Sequence, residues 1–420
     1  MVKIATIVGA RPQFIKAAVV SRAIQTSLPV PWQTGNKKEK KIQEILVHTG
    51  QHYDYLMDRV FFEELDLPQP HYHLGVGSGS HGKQTGIMLE RIETVLQQEK
   101  PEAVLVYGDT NSTLAGALAA AKLNIPVAHV EAGLRSYNRR MPEEINRLLT
   151  DHLSTFLFCP TAQAVQNLLK EGIRDGKGKF VKNVGDVMYD SILYYSKLAE
   201  SRSTILQDLN LVNKKSEVRS QESESRTPKS AIPARRKGAP AGGRNPQYYL
   251  VTLHRAENTD DPKRLKSILK ALNEIGKDDP VVLPLHPRTK KMMKIYNLSP
   301  DNHRIKLIDP VSYLNMLTLE KNARAILTDS GGVQKEAYWL KVPCLTLRDE
   351  TEWVETVKNG WNVLVGTGTQ KILNGLKHLE KRKSFRKGRE LFGGGKAGEK
   401  ILQAIIRHFM NVKRAEMDGQ

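Results

Sequence analysis

The most constraining feature of the sequence is a stretch in which two apolar runs, each ending in an acidic residue, flank an alanine-rich segment. Residues 104–109 form the first run and residues 126–131 form the second. The alanine-rich segment predicts a helix, so the stretch predicts one βαβ unit with parallel strands. A right-handed crossover would bring both strands into one sheet. Asp109 and Glu131 are then expected beyond the carboxyl ends of the strands, where open α/β sheets bind ligands.

The same alternation of strand-like and helix-like segments extends through both halves of the chain and indicates the fold class. Further predicted strands are residues 3–8, 45–48, 156–159, 248–254, 281–286, 305–308, 323–329, 343–346 and 362–365. This order predicts an α/β protein with two doubly wound, Rossmann-like domains facing across a cleft.

The expected domain boundaries follow from length and local composition. A chain of 420 residues exceeds what a single hydrophobic core usually serves, so we expect two domains. Residues 1–195 form the expected N-terminal domain with the acidic residues, and residues 248–390 the C-terminal nucleotide-binding domain. Residues 196–247 are expected to hold the end of a connecting helix and a disordered basic insert (about 214–247), which is rich in Ser, Arg, Lys, Pro and Gly. Residues 391–420 are expected to form a C-terminal helix and a basic tail.

Cysteine usage and the lack of targeting signals predict a cytoplasmic protein. Cys159 and Cys344 are far apart and adjoin apolar segments, which is typical of buried free thiols. No apolar run approaches the ~20 residues needed to cross a bilayer. The N-terminal residues lack the order of a signal peptide and resemble a first strand.

The net charge of +19 raises the question of nucleic-acid binding. Most of the excess lies in residues 36–41, 213–247 and 371–420, and basic tails and inserts are usually solvated. We therefore expect no nucleic-acid or membrane partner, and an anionic substrate instead.

Two glycine-containing turns follow predicted strands and suit an anionic ligand. One predicted helix begins with Ser330, Gly331 and Gly332, and the N–H groups and dipole at its N-terminus favour an anion. Glu336 lies further along this helix, where its carboxylate can accept hydrogen bonds from two ribose hydroxyls. The alternative is an ordinary serine N-cap. Residues 9–16 form the second turn, where Arg11 and Lys16 are placed to bind a diphosphate. The alternative is that both side chains are simply solvated.

All but one of the candidate catalytic residues also have a structural interpretation. Asp109 stands before an alanine-rich run and could be an N-cap, and Glu143 could serve the dipole of a helix beginning at Pro142. Glu131 has no structural duty evident from the sequence. His254 and His286 follow predicted strands, where a histidine is more often structural. All five fall on the ligand-binding edge of the predicted sheets.

Several short motifs occur in one order along the chain. They are Gly9-Ala-Arg-Pro, Thr49-Gly-Gln-His52, Gly108-Asp-Thr110, His129-Val-Glu-Ala-Gly-Leu-Arg135, Pro142-Glu-Glu-Ile-Asn-Arg147, His254-Arg, and Asp329-Ser-Gly-Gly332 with Glu336. In this order the chain resembles the non-hydrolysing UDP-N-acetylglucosamine 2-epimerases over essentially its whole length, apart from residues near 32–42 and 213–247.

The resemblance implies a glycosyltransferase-B type fold, a homodimer and a UDP-sugar bound in the interdomain cleft, without a metal or redox cofactor. It implies catalytic roles for Asp109, Glu131, Glu143 and His254. The substrate-binding residues predicted with it are Arg11, Lys16, Gln51, His52, Arg135, His286, Arg288, Ser330, Gly331, Gly332 and Glu336. The implied reaction is reversible C2 epimerisation of UDP-GlcNAc to UDP-ManNAc by elimination and re-addition of UDP, for surface polysaccharide precursors.

Departures from the family pattern leave the sugar open. Thr351-Glu-Trp-Val354 replaces a loop in which many members carry Arg-Pro, and Met316 stands where they carry Phe. The segments 77–82, 136–141 and 286–288 are similar to relatives that act on UDP-2,3-diacetamido-2,3-dideoxyglucuronate. A substrate carboxylate would give Arg139, Arg140 or Arg288 a partner. A glycosyltransferase of the same fold, a hydrolysing epimerase and a non-enzymatic sensor or RNA-binding protein are the further alternatives.

Overall fold

The computed structural model describes residues 2–26, 42–50, 62, 64–211, 248–381 and 392–418, with side chains described as far as Asn411. The predicted basic insert (about 214–247) lies outside these residues. The chain divides into two compact units. Unit 1 comprises Met1–Tyr194 and Arg389–Gln420, and unit 2 comprises Tyr195–Gly388.

Unit 1 is built on a seven-stranded parallel sheet with the order β3-β2-β1-β4-β5-β6-β7. Its strands are β1 (Val2–Val8), β2 (Ile42–His48), β3 (Tyr72–His73), β4 (Ala103–Tyr107), β5 (Val127–Val130), β6 (Phe156–Cys159) and β7 (Phe180–Asn183). Its helices are α1 (Arg11–Thr26), α2 (His81–Glu99), α3 (Asn111–Lys122), α4 (Pro142–Leu153), α5 (Ala162–Lys170) and α6 (Val187–Arg202), in which the boundary between the units falls.

Burial explains why the central strands were evident in the sequence and the edge strands were not. Every residue of β4, β5 and β6 is buried, so β4 and β6 are continuous apolar runs and β5 is interrupted only by His129, as expected for a parallel sheet covered on both faces. The edge strands β3 and β7 are exposed or half-buried and carry no such pattern. Neither was among the strands predicted from the sequence.

Unit 2 repeats the architecture with a six-stranded parallel sheet of order β10-β9-β8-β11-β12-β13. Its strands are β8 (Tyr249–Thr252), β9 (Val281–Pro284), β10 (Ile305–Ile308), β11 (Ala325–Thr328), β12 (Cys344–Thr346) and β13 (Asn362–Leu364). Its helices are the end of α6, α7 (Ile205–Asp208), α8 (Ala256–Thr259), α9 (Pro262–Ile275), α10 (Pro287–Ile295), α11 (Tyr313–Asn322), α12 (Gly331–Leu340), α13 (Val354–Lys358) and α14 (Thr369–Lys381). The prediction of two doubly wound parallel sheets is confirmed.

Each sheet contains one point at which the strand order reverses direction. In unit 1, β1 lies between β2 and β4, and in unit 2, β8 lies between β9 and β11. The chain therefore leaves the carboxyl ends of β1 and β4, and of β8 and β11, toward opposite faces. Such a topological switch point is where open α/β sheets bind ligands.

The last helix, α15 (Ala397–Asp418), belongs to unit 1, although unit 2 precedes it in the chain. It packs closely on α1, since a side chain built at Gly398 would lie 2.8 Å from Val19 Cγ1. Asp190 of α6 accepts a hydrogen bond from the Gly398 N–H at 3.0 Å. Within the described residues, no helix combines the length and apolar character needed to span a bilayer.

Asp190 makes the stability of unit 1 depend on pH. Burial raises the pKa of this carboxyl to about 6, and the nearby acids Asp186 and Glu399 add to the shift. Because the folded state holds this proton more tightly than the unfolded chain, the contribution of Asp190 to stability is largest below about pH 4 and declines as the pH rises through 6. Asp190→Asn should remove this decline and, at pH 7, raise the free energy of unfolding by about 1–3 kcal/mol. Urea unfolding of both proteins between pH 4 and 8 measures the difference; parallel pH curves would contradict it.

Candidate active site

The turn after β1 is held against the end of β4 by one buried glutamine. The Gln13 side-chain oxygen accepts from the N–H groups of Gly9 and Ala10 at 2.8 and 3.1 Å, and its nitrogen donates to the Tyr107 carbonyl at 3.0 Å. Gly9 is required here because a Cβ would lie 2.0 Å from Thr49 Oγ1. These contacts fix the start of α1 at the switch point of unit 1.

Asp109 follows β4 and is free of the capping role that its sequence context suggested. Thr110 is the N-cap of α3, and its side chain forms a capping box with Thr113. The half-buried Asp109 carboxylate instead forms an ion pair with Arg147. Burial favours its protonated form, but the positive charges of Arg147 and Lys16 outweigh burial and hold the pKa of Asp109 below its ordinary value.

Glu131 follows β5, the neighbour of β4, and has the unusual backbone angle φ +80°. Its carboxylate is buried and forms an ion pair with Lys16 of α1. Gly108 lies beside this pair, since a Cβ there would be 3.0 Å from Lys16 Nζ and 3.4 Å from Glu131 Oε2. A strained conformation at a buried charged residue is typical of functional sites. Lys16, expected to bind substrate phosphate, has Glu131 as its observed partner.

The acidic pair at the start of α4 divides into an inner and an outer residue. Glu143 is half-buried in the first helical turn, whereas Glu144 is buried. The Glu144 carboxylate accepts from the Ser136 N–H and hydroxyl, both at 2.9 Å, and from the Tyr137 N–H at 2.9 Å. Glu144 therefore organises the loop before α4, and Glu143 is the acid of this pair on the more exposed side.

A buried histidine joins the ends of β4 and β5. His129 Nε2 lies 2.8 Å from the Gly108 carbonyl oxygen and Nδ1 lies 2.7 Å from Asp151 Oδ1. Asp151 also accepts from the Gly133 N–H at 3.0 Å. Burial opposes ionisation of Asp151, but the charges of His129 and Arg135 outweigh it and lower the pKa of this carboxyl. The network fixes the residues on either side of Asp109 and Glu131.

Arg135 is a buried member of the same network. Its guanidinium donates to Asp151 Oδ2 at 2.7 Å and makes two hydrogen bonds with the Glu171 carboxylate, at 2.7 and 2.6 Å. A fourth hydrogen bond reaches the Leu134 carbonyl at 2.6 Å. These contacts make Arg135 a support of the loop after β5, and its predicted contact with substrate is not supported by this placement.

At the switch point of unit 2, the fully buried Asp329 orders the chain after β8. Its carboxylate accepts from the N–H groups of His254 and Arg255 at 3.1 and 3.0 Å, and from the Asn258 amide at 3.2 Å. The His254 ring Nδ1 lies 3.4 Å from Asp329 Oδ1, and its side chain is 35% exposed. Asp329 thus presents a partly exposed imidazole beside the start of α12.

The start of α12 has the properties expected of an anion-binding turn. Ser330 occupies the N-cap position, but its side chain makes no capping hydrogen bond, so it does not act as an ordinary serine cap. A Cβ at Gly331 would lie 2.4 Å from Glu352 Oε1, whereas a Cβ at Gly332 would meet only Ser330 Oγ, at 3.8 Å. Glu336 lies in the same helix and is buried.

His286 and Arg288 lie beside His254, after β9. The rings of His254 and His286 are 5.4 Å apart. His286 is the exposed N-cap of α10, and its Nδ1 accepts from the Arg288 N–H at 3.1 Å. Arg288 forms an ion pair with Asp260, which lowers the pKa of that carboxyl. The structure gives both residues local roles in capping and pairing.

Most of the predicted site residues are described by the structure, and they divide between the two units. In unit 1 these are Arg11, Lys16, Asp109, Glu131 and Glu143, and in unit 2 they are His254, His286, Ser330, Gly331, Gly332 and Glu336. Gln51 and His52 lie outside the described residues. The sequence analysis assigned no role to Gln13, His129 or Arg147, although Arg147 lies three residues after Glu144, on the same face of a helix.

Comparison with known proteins assigns the chain to a family. Residues 35–406 match the family UDP-N-acetylglucosamine 2-epimerase. The chain is 47% identical to a Pseudomonas aeruginosa UDP-2,3-diacetamido-2,3-dideoxy-D-glucuronate 2-epimerase and 45% identical to a Methanocaldococcus jannaschii UDP-N-acetylglucosamine 2-epimerase. Each alignment covers 96% of this chain, and it spans 99% and 98% of the two relatives, respectively.

Solved structures agree with this assignment. The M. jannaschii enzyme in complex with UDP-GlcNAc and UDP has a TM-score of 0.79 over 96% of this chain and 99% of that one. The Neisseria meningitidis enzyme bound to UDP-GlcNAc, 29% identical, also has a TM-score of 0.79, over 96% of this chain and all of that one. The two parallel-sheet domains therefore have the glycosyltransferase-B type fold, and the chain belongs to the UDP-N-acetylglucosamine 2-epimerase family.

Proposed function

We propose that the protein interconverts UDP-GlcNAc and UDP-ManNAc by inverting C2 of the sugar, in the synthesis of surface polysaccharide precursors. The family assignment and the likeness to structures that contain UDP-GlcNAc support this substrate. The activity is that of an isomerase, and the chain's own residues supply the acid and base groups.

The chemistry needs UDP to leave before the sugar is inverted. The proton on C2 is not acidic enough for a carboxylate to remove directly. Cleavage of the C1–O bond, with the electron pair departing on UDP, gives C1 oxocarbenium character and makes that proton removable. Loss of the proton to a carboxylate leaves 2-acetamidoglucal, with a double bond between C1 and C2. Return of a proton to the opposite face of C2 and of UDP to C1 completes the inversion.

The observation that carries the proposal is the pair of carboxylates beyond neighbouring strands, each with its own cation. Asp109 follows β4 and is paired with Arg147, and Glu131 follows β5 and is paired with Lys16. Inversion requires proton transfer at both faces of C2, so at least two acid–base groups must serve one ring. Glu143, half-buried at the start of α4, is the third candidate.

We assign binding of the UDP moiety to the start of α12 and to the side chains of His254 and Arg11. The N–H groups at a helix N-terminus with glycines favour a phosphate. Ser330, Gly331 and Gly332 would bind the diphosphate, and Glu336 the ribose hydroxyls. We propose that His254 and Arg11 stabilise the charge that develops on the departing UDP.

A second candidate substrate is UDP-2,3-diacetamido-2,3-dideoxyglucuronate, the substrate named for the P. aeruginosa relative. Arg139 and Arg140 favour it, because both are exposed in the loop that Glu144 orders. A carboxylate on the sugar would supply these guanidinium groups with a counterion. Comparing the two UDP-sugars as substrates of the same preparation distinguishes the candidates.

We further propose a homodimer with a cytoplasmic location. The exposed apolar side chains of Ile145 and Leu149, one helical turn apart on α4, support an interface between copies. The free, buried thiols of Cys159 and Cys344 support a reducing compartment. Light scattering in solution should give twice the mass of one chain, and the mass of a single chain would contradict the dimer.

Exchange of the C2 proton with solvent tests the reaction. Incubation with UDP-GlcNAc in D₂O should place deuterium at C2 of both epimers, as read by NMR. Asp109→Asn and Glu131→Gln should each slow epimerisation by about 10²–10⁴-fold, because each removes a proton-transfer group. Glu90→Gln, at an exposed acid on α2, is the matched control and should retain full activity. Near-normal turnover by Glu131→Gln would exclude this assignment, and a need for an acceptor without C2 exchange would favour a glycosyltransferase.

Gly332→Ala tests the assignment of the UDP diphosphate to the start of α12. The added methyl group has room in the fold, since its nearest atom is Ser330 Oγ at 3.8 Å. The variant should therefore unfold at an unchanged temperature. The methyl group should, however, keep the phosphate away from the backbone N–H, so UDP should bind about tenfold more weakly, as expected for the loss of one charged hydrogen bond. Titration calorimetry measures the affinity. Gly368→Ala, which is equally uncrowded in unit 2, is the control; equal affinities of the two variants would refute the assignment.

A further inference from the structure

Arg147 joins one candidate catalytic carboxylate to a second, buried carboxylate. Its side chain is 5% exposed. Nη2 contacts the Asp109 carboxylate, and Nη1 donates to Glu144 Oε2 at 2.6 Å. Two N–H groups of one planar guanidinium thus contact two acids, an arrangement that a lysine ammonium reproduces poorly.

Glu144 gives this guanidinium a fixed position. The Glu144 side chain is 1% exposed, and Ser136 and Tyr137 already donate three hydrogen bonds to its oxygens. Rotation of this carboxylate would break these hydrogen bonds and leave the buried Arg147 guanidinium without this acceptor, which is costly. Arg147 is therefore bound on one side to an immobile acid, and only its other side faces Asp109.

The charges around Asp109 come from three elements. Lys16 approaches from α1, Arg147 from α4, and the like charge of Glu131 from the end of β5. The backbone carbonyl of Asp109 also accepts from the Asn146 amide at 3.0 Å. Burial acts to raise the pKa of Asp109, and Arg147 is the largest influence that lowers it. The contact with Arg147 thus governs both the charge and the orientation of this carboxylate.

We propose that Arg147 is a positioning residue that keeps the Asp109 carboxylate ionised and in one orientation, through a guanidinium that Glu144 holds in place. This inference rests on the proposed epimerase function, because it assigns Asp109 to the state in which it can accept the C2 proton. Arg147 itself does not contact the reacting atoms in this assignment. Arg147 contacts the carboxylates of Glu144 and Asp109, and it acts on the reaction through Asp109.

Two substitutions separate the charge of Arg147 from its geometry. Arg147→Gln removes the charge but keeps an N–H donor, so the Asp109 titration midpoint should rise by about one pH unit or more. Arg147→Lys keeps the charge but cannot reach both acids as the guanidinium does. Its midpoint should move less, while kcat should fall by about 10–100-fold with little change in KM, because the carboxylate is misplaced. Arg174→Gln, at an exposed arginine in unit 1, is the matched control and should change neither quantity.

Two readouts make failure of this inference distinct from failure of the proposed function. The carbon-13 shift of the Asp109 carboxyl, followed against pH without substrate, reports its midpoint whatever reaction the enzyme catalyses. The acidic limb of kcat/KM for UDP-GlcNAc epimerisation should move upward together with it. An unmoved midpoint in Arg147→Gln would overturn the inference and leave Arg147 a structural role. A shifted midpoint in a protein that shows no C2 exchange would support the ion-pair role and reject the epimerase function. If Arg147→Gln does not fold, a normal kcat in Arg147→Lys would overturn the inference.

Discussion

In each unit, two neighbouring parallel strands are followed by connections that leave the sheet toward opposite faces, and most candidate functional groups depend on this arrangement. In unit 1 the strands are β1 and β4, and in unit 2 they are β8 and β11. The gap that opens beyond such strands exposes the ends of several backbone segments at once. Asp109 in unit 1, and His254 and Ser330 in unit 2, all follow strands that border a switch point.

Three acids at the site in unit 1 are retained in a buried or half-buried setting because each has a positively charged partner. A buried carboxylate without a partner is costly, and it tends to become protonated instead. Glu131 has Lys16, Asp109 has Arg147, and Asp151 lies against both His129 and Arg135. The partners also separate the acids by function, because Asp151 serves only backbone and side-chain donors while Asp109 remains half-exposed. The charge arrangement therefore distinguishes Asp151, which is enclosed by its hydrogen-bond donors, from Asp109, which keeps an exposed side.

The sequence revealed the fold and the edge of the sheet that carries the site, but not the partners of the site residues. Buried parallel strands such as β4 and β6 are continuous apolar runs, so their ends, and hence Asp109, could be located. The contact of Lys16 with Glu131 joins residues 115 positions apart, and no local pattern encodes it. The sequence allowed Asp109 to be the cap of α3, whereas in the structure Thr110 is the cap and Asp109 contacts Arg147, 38 positions away. Short, half-exposed edge strands such as β7 bury too little to leave an apolar signature.

The two adjacent glycines at the start of α12 are present for different physical reasons. At Gly331 a side chain is excluded by protein, since its Cβ would collide with the Glu352 carboxylate and approach Trp353. At Gly332 the protein leaves space, so no packing contact in the described part of the chain requires a glycine there. A residue without a side chain where the fold would accept one is best explained by something outside the fold that approaches the backbone closely. Because the neighbouring Ser330 hydroxyl is not used as a cap, the same position also offers a side-chain donor. Together they favour a phosphate ligand at this turn over a purely structural helix start.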